Sequence, residues 1–289
     1  MGLSIANRLG LAAGLDKNAV CIDALGALGF GFIEVGTVTP KPQAGNARPR
    51  LFRLIDDRAL INRMGFPNDG LERIRTRLHR RRYSGICGVN IGKNALTPLE
   101  DAASDYVACL VGLYAVADYI AINISSPNTR DLRRLQQGAM LRSLLSKLLE
   151  VRAVLVRESG RHVPILIKLS ADLEDDELID AARISVACGV DGIIATNTTV
   201  RREGLVSLIA EEGGLSGAPL LRRAIHAITC IRAETGSSYP IIGVGGIQSV
   251  TDAIAMRNAG ADLLQVYTGF VYRGPNLIHE VLGDSRVGH

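Results

Sequence analysis

Residues 123–129, which read Asn-Ile-Ser-Ser-Pro-Asn-Thr, place amides and hydroxyls directly behind the apolar residues 119–122. The apolar residues predict a buried strand, and every polar group that leaves water there must find a hydrogen-bond partner. The strand itself has no need of such polarity. The concentration of polar side chains at one strand end therefore indicates contact with a ligand. Pro127 is expected to stiffen the turn.

Asparagine recurs at other predicted strand ends and in the loops beside them. Each side chain offers one acceptor and two donors, so a planar ring with alternating C=O and N–H groups is a natural complement. A pyrimidine or a flavin has such an edge. A single asparagine is more often a turn residue, but a convergent set favours binding. The set is Asn62, Asn90, Asn123, Asn128 and Asn197.

Lys168 follows the apolar residues 165–167 and is predicted to point into the same site. A buried lysine is costly unless an anion meets it. One interpretation is a cation that stabilises an anionic cofactor, and another is a lysine that forms a Schiff base. The third is an internal ion pair, which is disfavoured because the nearest acids, Asp172 and Glu174, lie beyond the strand end.

Glycines follow the last two predicted strands, in residues 243–246 and at Gly269. Unshielded backbone N–H groups at such positions can approach an anion closely, which favours a phosphate site. Residues 213–217, Gly-Gly-Leu-Ser-Gly, are predicted to add a flexible loop rich in donors. Many glycine-rich turns are only tight corners, so the positions of these glycines matter more than their number.

The elements that must position these residues are short apolar runs alternating with helical patterns. Continuous apolarity, rather than alternation, indicates strands buried on both faces of a parallel sheet. The class is therefore α/β, and the fold is a (β/α)8 TIM barrel formed by residues 1–289 as one domain. Asp172 and Ser249 are predicted to cap helices. The runs are 9–15, 32–38, 86–92, 119–125, 165–170, 192–198, 241–247 and 263–269, and the helical patterns are 101–117, 140–158, 174–188, 220–235 and 250–259.

The connection after the second strand, residues 39–84, is too long for one helix. It contains prolines and two short apolar runs, which predict an inserted β-hairpin over the top of the barrel. Residues 73–82 hold six arginines and His79 on a predicted helix. This charged run is either a solvated helix face or a contact with anionic lipid.

Composition limits the classes of function. A chain of 289 residues has the length of an α/β barrel, and its 47% hydrophobic and 21% charged content is ordinary for a soluble protein. The net charge of +4 does not indicate a nucleic-acid partner. Five cysteines without a CxxC pair favour a reduced, intracellular setting with no disulfide framework and no metal site. No apolar run is long enough to span a bilayer.

Several motifs together resemble the dihydroorotate dehydrogenase family, closest to its membrane-associated, quinone-dependent class 2. The resemblance covers nearly the whole chain, and the motifs are specific in combination. They are residues 10–17 (GLAAGLDK), 34–40 (EVGTVTP), 62–66 (NRMGF), 90–93 (NIGK), 123–129 (NISSPNT) and 242–247 (IGVGGI).

The resemblance implies an oxidoreductase acting on CH–CH bonds. It would oxidise (S)-dihydroorotate to orotate in de novo pyrimidine (UMP) biosynthesis, with a hydride passing to FMN and electrons then to a quinone. Ser126 matches the catalytic base of class 2, where class 1 enzymes use a cysteine. FMN is implied to contact Ala13, Gly14, Thr37, Asn90, Asn123, Lys168, Thr196, Gly217, Gly246, Tyr267 and Thr268. Dihydroorotate and orotate are implied to contact Lys17, Asn62, Arg63, Met64, Gly65, Phe66, Asn123, Asn128, Asn197 and Thr198.

These roles fit the chemistry of the side chains. Lys168 can offset charge on a reduced ring, and Lys17 can pair with the substrate carboxylate. A serine hydroxyl is a poor base at its free pKa, so Ser126 is expected to act as a relay to Thr129 or to a water. Arg130, Arg133 and Arg134 suggest a mobile polar lid over residues 125–137.

One departure from the class concerns the start of the sequence, where Met1-Gly-Leu-Ser leads directly into the first barrel region. Class 2 members carry an N-terminal helical extension that forms the quinone tunnel and rests on the membrane. We therefore expect an incomplete quinone site and weak quinone turnover. Peripheral contact with the cytoplasmic side of the cell membrane is expected for a full-length form, and this chain is expected to be soluble. Rival functions are a Schiff-base aldolase using Lys168 and a non-catalytic phosphate-binding barrel.

Overall fold

A closed barrel of eight parallel strands forms the centre of the molecule. The structure, a computed structural model, describes residues 2–287, so Met1, Gly288 and His289 of the predicted domain lie outside the described residues. The barrel order is β1-β11-β10-β8-β7-β6-β5-β2. The strands are β1 (Leu9–Leu11), β2 (Phe32–Val38), β3 (Leu51–Leu54), β4 (Ala59–Asn62), β5 (Ile86–Ile91), β6 (Tyr119–Asn123), β7 (Ile165–Leu169), β8 (Gly192–Ala195), β9 (Gly214–Gly217), β10 (Ile241–Val244) and β11 (Leu263–Val266).

The predicted barrel is confirmed, and all eight barrel strands begin at the residue that the apolar pattern predicted. Most end before the predicted boundary because the residues that follow leave the ladder and turn into loops. Side chains alternate between the two sides of each strand. In β7, Ile165, Ile167 and Leu169 face the surrounding helices, whereas Leu166 and Lys168 face the barrel interior.

Helices cover the outside of the barrel with their apolar faces. The predicted helices are confirmed, and Ser249 accepts a hydrogen bond from the Asp252 N–H as predicted. The predicted cap at Asp172 is wrong: Glu174 precedes the helix and forms a capping box with Glu177. The helices are α1 (Ile22–Gly26), α2 (Leu71–His79), α3 (Ala102–Leu113), α4 (Gly138–Ser159), α5 (Asp175–Cys188), α6 (Leu221–Thr235), α7 (Val250–Asn258), α8 (Thr268–Arg273) and α9 (Pro275–Gly283), with short 3₁₀ turns at Leu132–Gln136 and Ala218–Leu220.

A three-stranded antiparallel sheet, β3-β4-β9, is separate from the barrel sheet. The hairpin β3–β4 occupies the long connection after β2. The prediction of a flexible loop at residues 213–217 is wrong, because residues 214–217 form β9 and pair with β4. Leu215 is buried against Leu54 and Ile61, so apolar contact and ladder hydrogen bonds order a segment whose glycine content indicated mobility.

The lower part of the barrel interior is filled by aromatic and aliphatic side chains. Phe32 and Tyr119 meet edge to face, with ring centroids 6.4 Å apart. A Cβ on Gly10 would lie 2.4 Å from the Phe32 ring, and one on Gly88 would lie 2.0 Å from the Tyr119 ring. Glycine at these two positions therefore makes room for the rings, which fill this part of the barrel interior.

Arginines of the basic run 73–82 pair with acids of neighbouring elements. Arg77 lies 2.6 Å from Asp69, and Arg81 lies 3.1 Å from Asp118. These contacts favour a solvated, internally paired helix face over a lipid-binding surface. Within residues 2–287, no helix combines the length and the apolar character that crossing a membrane requires.

Candidate functional site

A cavity of about 1000 Å³ opens to solvent at the carboxyl ends of the barrel strands. This is the end at which α/β barrels bind ligands. Its wall combines the ends of the barrel strands with β4 and β9 of the small sheet. Among its lining residues are Ala13, Gly14, Lys17, Thr37, Asn62, Met64, Gly65, Phe66, Asn123, Ser126, Asn128, Lys168, Thr196, Asn197, Thr198, Gly217, Gly246, Tyr267 and Thr268, all of which the sequence predicted.

Asn123, the last residue of β6, is the centre of a hydrogen-bond network across the barrel mouth. Its amide nitrogen donates to Thr37 Oγ1 at 3.0 Å and to Asn90 Oδ1 at 3.1 Å. Its amide oxygen accepts from Asn197 Nδ2 at 3.2 Å. Asn90 is fully buried beneath the cavity and also accepts from the Thr37 hydroxyl at 2.6 Å. The network orders four polar side chains of four different strands or strand ends.

Ser126 lies in the loop after β6 and is 5% exposed. Its Oγ accepts a hydrogen bond from the Asn128 backbone N–H at 3.3 Å. The Asn128 side chain donates to Asn62 Oδ1 at 3.1 Å, which ties this loop to β4. Cys109, the nearest cysteine along the sequence, is buried on α3, where burial raises the pKa of its thiol far above the ordinary value. A serine is therefore the candidate nucleophile or base of this loop.

Lys17 and Lys168 bring positive charge to the cavity. Lys17 Nζ donates to the Gly14 carbonyl at 2.7 Å. Burial, with the nearby charges of Arg50 and Lys168, lowers the pKa of Lys17 to about 8. Burial also lowers the pKa of Lys168, although Glu34 opposes that shift. An anionic ligand in the cavity would raise both pKa values and gain two cationic contacts.

The acid that faces Lys168 is Glu34 of β2. Its Oε1 lies 3.9 Å from Lys168 Nζ, and the carboxylate is completely buried. The internal ion pair, which the sequence disfavoured, is therefore present, because that argument considered only acids nearby in the sequence. A usable signal was present: Glu34 is the one charged residue in the otherwise apolar run 32–38.

Gly217 at the end of β9 and Gly246 after β10 line the cavity and are the candidate anion cradle. Gly217 and Gly246 have φ values of +100° and +86°, in the left-handed region that favours glycine. A Cβ on Gly246 would lie 2.6 Å from the backbone of Leu221, the first residue of α6. The cradle thus adjoins the N-terminal end of α6, where the helix dipole favours an anion.

Two predicted site residues do not reach the cavity wall. Asn90 lies beneath the cavity and is hydrogen-bonded to Thr37 and Asn123. Arg63 turns away, lies 2.5 Å from Glu211 and stacks 4.7 Å over the Phe52 ring. Sequence reasoning missed several lining residues, of which Gln265 had the clearest signal as a polar side chain inside an apolar strand. The missed residues are Ala12, Leu220, Ile247, Gln265 and Val266.

Known proteins resemble this chain over almost its whole length. The profile of the dihydroorotate dehydrogenase family matches residues 1–284. The dihydroorotate dehydrogenase (quinone) of Chromobacterium violaceum is 52% identical over 282 residues, covering 97% of this chain and 82% of that protein. The protein of the same name from Leptothrix cholodnii is 54% identical over 285 residues, covering 96% and 83%.

Solved structures resemble the fold closely. A dihydroorotate dehydrogenase of Eimeria tenella in complex with ferulenol superposes with a TM-score of 0.91 at 39% identity, covering 97% of this chain and 80% of that one. A ligand-free form from the same organism superposes with a TM-score of 0.89 at 40% identity, covering 95% and 82%.

Proposed function

This chain belongs to the dihydroorotate dehydrogenase family, in its quinone-dependent class, and on that premise we propose that it holds FMN in the barrel mouth and uses Ser126 as the base. The enzyme is an oxidoreductase that oxidises dihydroorotate to orotate in pyrimidine biosynthesis. The observation that carries the proposal is the single cavity in which the Asn123 network, two lysines and the glycine cradle converge.

The cavity residues fit FMN in both of its parts. The cradle at Gly217 and Gly246, with the adjoining N-terminus of α6, suits a phosphate. The amides and hydroxyls of the Asn123 network suit the polar edge of a flavin ring, which supplies the acceptor for a hydride. Proposed contacts with FMN are Ala13, Gly14, Thr37, Asn90, Asn123, Lys168, Thr196, Gly217, Gly246, Tyr267 and Thr268.

The remaining polar groups suit a small anionic ring. Lys17 can bind a carboxylate, and its pKa of about 8 leaves it mostly charged at neutral pH. Asn62 and Asn128 are joined by a hydrogen bond of 3.1 Å, so each is already oriented when a ligand arrives. Such preorganisation lowers the entropy cost of binding. Asn123, Asn197, Thr198 and residues 64–66 complete the proposed contacts with dihydroorotate and orotate.

Ser126 is the hydroxyl proposed to remove the substrate proton. It is nearly buried, and its Oγ already accepts the Asn128 N–H, which stabilises developing negative charge on the oxygen. A serine must pass the proton onward to act as a base at neutral pH. Thr129, which lies in the same loop and is 9% exposed, or a water is the proposed next carrier.

The deciding experiment is anaerobic addition of dihydroorotate to the purified protein. We expect the protein to be yellow, its flavin absorption to bleach on addition, and a quinone to restore it only slowly. Colourless protein, or yellow protein that does not bleach, would contradict the proposal. Borohydride trapping of a substrate carbonyl on Lys168 would support the Schiff-base aldolase instead.

A further inference from the structure

Glu34 receives hydrogen bonds from three different strands in the barrel interior. Its Oε1 accepts from Asn90 Nδ2 at 2.9 Å. Its Oε2 accepts from the Tyr119 hydroxyl at 2.9 Å and from Gln265 Nε2 at 2.8 Å. An ionised carboxylate only accepts hydrogen bonds, and here every contact comes from a donor. The arrangement is that of a fixed, buried negative charge.

Lys168 forms an ion pair with Glu34 but no direct hydrogen bond. Its Nζ lies 3.9 Å from Glu34 Oε1, which is too long for a hydrogen bond. Lys168 is 6% exposed and lines the cavity floor. Gln265, fully buried beside it, has an Oε1 that meets no donor within residues 2–287. Lys168 and the Gln265 amide therefore line the cavity and keep hydrogen-bonding capacity for a ligand, while Glu34 is buried behind Lys168.

We propose that Glu34 is a positioning residue that keeps Lys168 in its charged form at the cavity floor and thereby sets the reduction potential of the bound flavin across neutral pH. This inference rests on the proposed function. A cation close to a flavin ring favours the reduced, more negative ring. A neutral lysine would lose that effect, so the charge state of Lys168 matters for the reaction.

The surroundings of Lys168 make its charge dependent on Glu34. Burial lowers the pKa of Lys168, and the charge of Lys168 in turn helps to lower the pKa of Lys17. Glu34 is the acid that opposes the lowering of the Lys168 pKa. Tyr119 stays neutral because burial, with the charge of Glu34, raises the pKa of its phenol well above the ordinary value. Within the described residues, no second acid faces Lys168 at ion-pair distance.

Glu34→Gln should therefore change how the potential depends on pH. At acidic pH, Lys168 stays charged without its counter-charge, and the midpoint potential should lie above that of the parent. As pH rises, Lys168 loses its proton earlier, so the break in the plot of potential against pH should move down by about 1 unit or more. Lys168→Met should show no such break.

The measurement is the midpoint potential of the flavin in the holoenzyme as a function of pH. Tyr119→Phe is the matched control, because it removes one donor to Glu34 and keeps the carboxylate. In Tyr119→Phe, we expect the pH at which the plot of potential changes slope to stay near that of the parent. The same pH in Glu34→Asp should also lie close to the parent value. An unchanged profile in Glu34→Gln, or an equal change in Tyr119→Phe, overturns the proposal.

A second readout does not need the flavin. The Lys168 side chain can be titrated by NMR in protein carrying ¹³C-labelled lysine, with its signal assigned by its loss in Lys168→Met. We expect a lower Lys168 pKa in Glu34→Gln than in the parent, and equal values overturn the proposal. A parent protein that binds no flavin would refute the proposed function, while this titration would still decide the role of Glu34.

Discussion

The guanidinium of Arg133 lies 2.9 Å from the carboxylate of Asp172 and joins the loop after β6 to the loop after β7. Arg133 Nε also donates to the Ser125 carbonyl at 3.3 Å, one residue before the proposed base. Asp172 in turn accepts from the Val200 N–H at 2.9 Å, beyond the end of β8. Three loops of the barrel mouth are thus held by one mostly buried charge contact, where the arginine content had suggested a mobile lid.

Arg133→Ala should loosen the loop that carries Ser126. Removing a partner from this mostly buried contact should cost about 1–2 kcal/mol and lower kcat/KM about tenfold. Hydrogen exchange of residues 125–137 should rise. Arg130→Ala is the control, because that side chain is 97% exposed and should leave exchange and activity unchanged. Equal effects of the two substitutions would contradict the proposed anchoring.

Ser126→Ala should slow the reduction of the flavin by dihydroorotate by about 10²–10⁴-fold, the range of a lost general base. Rapid-mixing absorbance under anaerobic conditions measures this step directly. Ser104→Ala, on the exposed side of α3, should react at the parent rate. Thr129→Ala should give an intermediate rate if the proton passes through that hydroxyl. A parent-like rate in Ser126→Ala would show that this serine is not the base.

Lys17 should impose an alkaline limit on substrate capture. Its pKa of about 8 means that the charged form, which binds a carboxylate, is lost as pH rises through that value. Since kcat/KM reports the free enzyme, kcat/KM should fall above about pH 8, whereas kcat should fall less because bound carboxylate raises the Lys17 pKa. The fall of kcat/KM with rising pH is opposite to the effect of a general base, which becomes more active as it loses its proton.

Lys17→Met should lower kcat/KM at neutral pH by about 10–100-fold, the worth of a charge-assisted hydrogen bond. Its pH profile should lack the alkaline fall. Lys41→Met, at an exposed position, should keep the profile of the parent. The same alkaline fall in both variants would assign it to another group.

Gly246→Ala should release the flavin. The φ of +86° disfavours a side chain, and the added Cβ would lie 2.6 Å from the backbone of Leu221 at the start of α6. Gly236→Ala is a matched control, since φ there is +76° with open space around a Cβ. Both variants should lose about 1 kcal/mol of stability or more in thermal unfolding. Only Gly246→Ala should lower the flavin-to-protein ratio. A normal ratio in that variant would contradict the proposal that the glycine cradle binds FMN.

The local sequence pattern was enough to predict the strands and helices and many of the residues that line the cavity. Strands such as Ile241–Val244 begin where the sequence predicts them because a strand buried on both faces requires uninterrupted apolar residues. Polar residues at the strand ends could be assigned to one site because parallel strands in a barrel end on the same side.

Contacts between distant parts of the chain depended on how the strands close the barrel and pair in the small sheet. The pairing of Glu34 with Lys168, the capture of Leu215 by β4, and the turning of Arg63 toward Glu211 all join segments far apart in the sequence. Sequence distance carries no information about which side chains face each other across a closed barrel. Apolar periodicity therefore predicts which residues are buried, while the register and closure of the strands decide which buried charges meet.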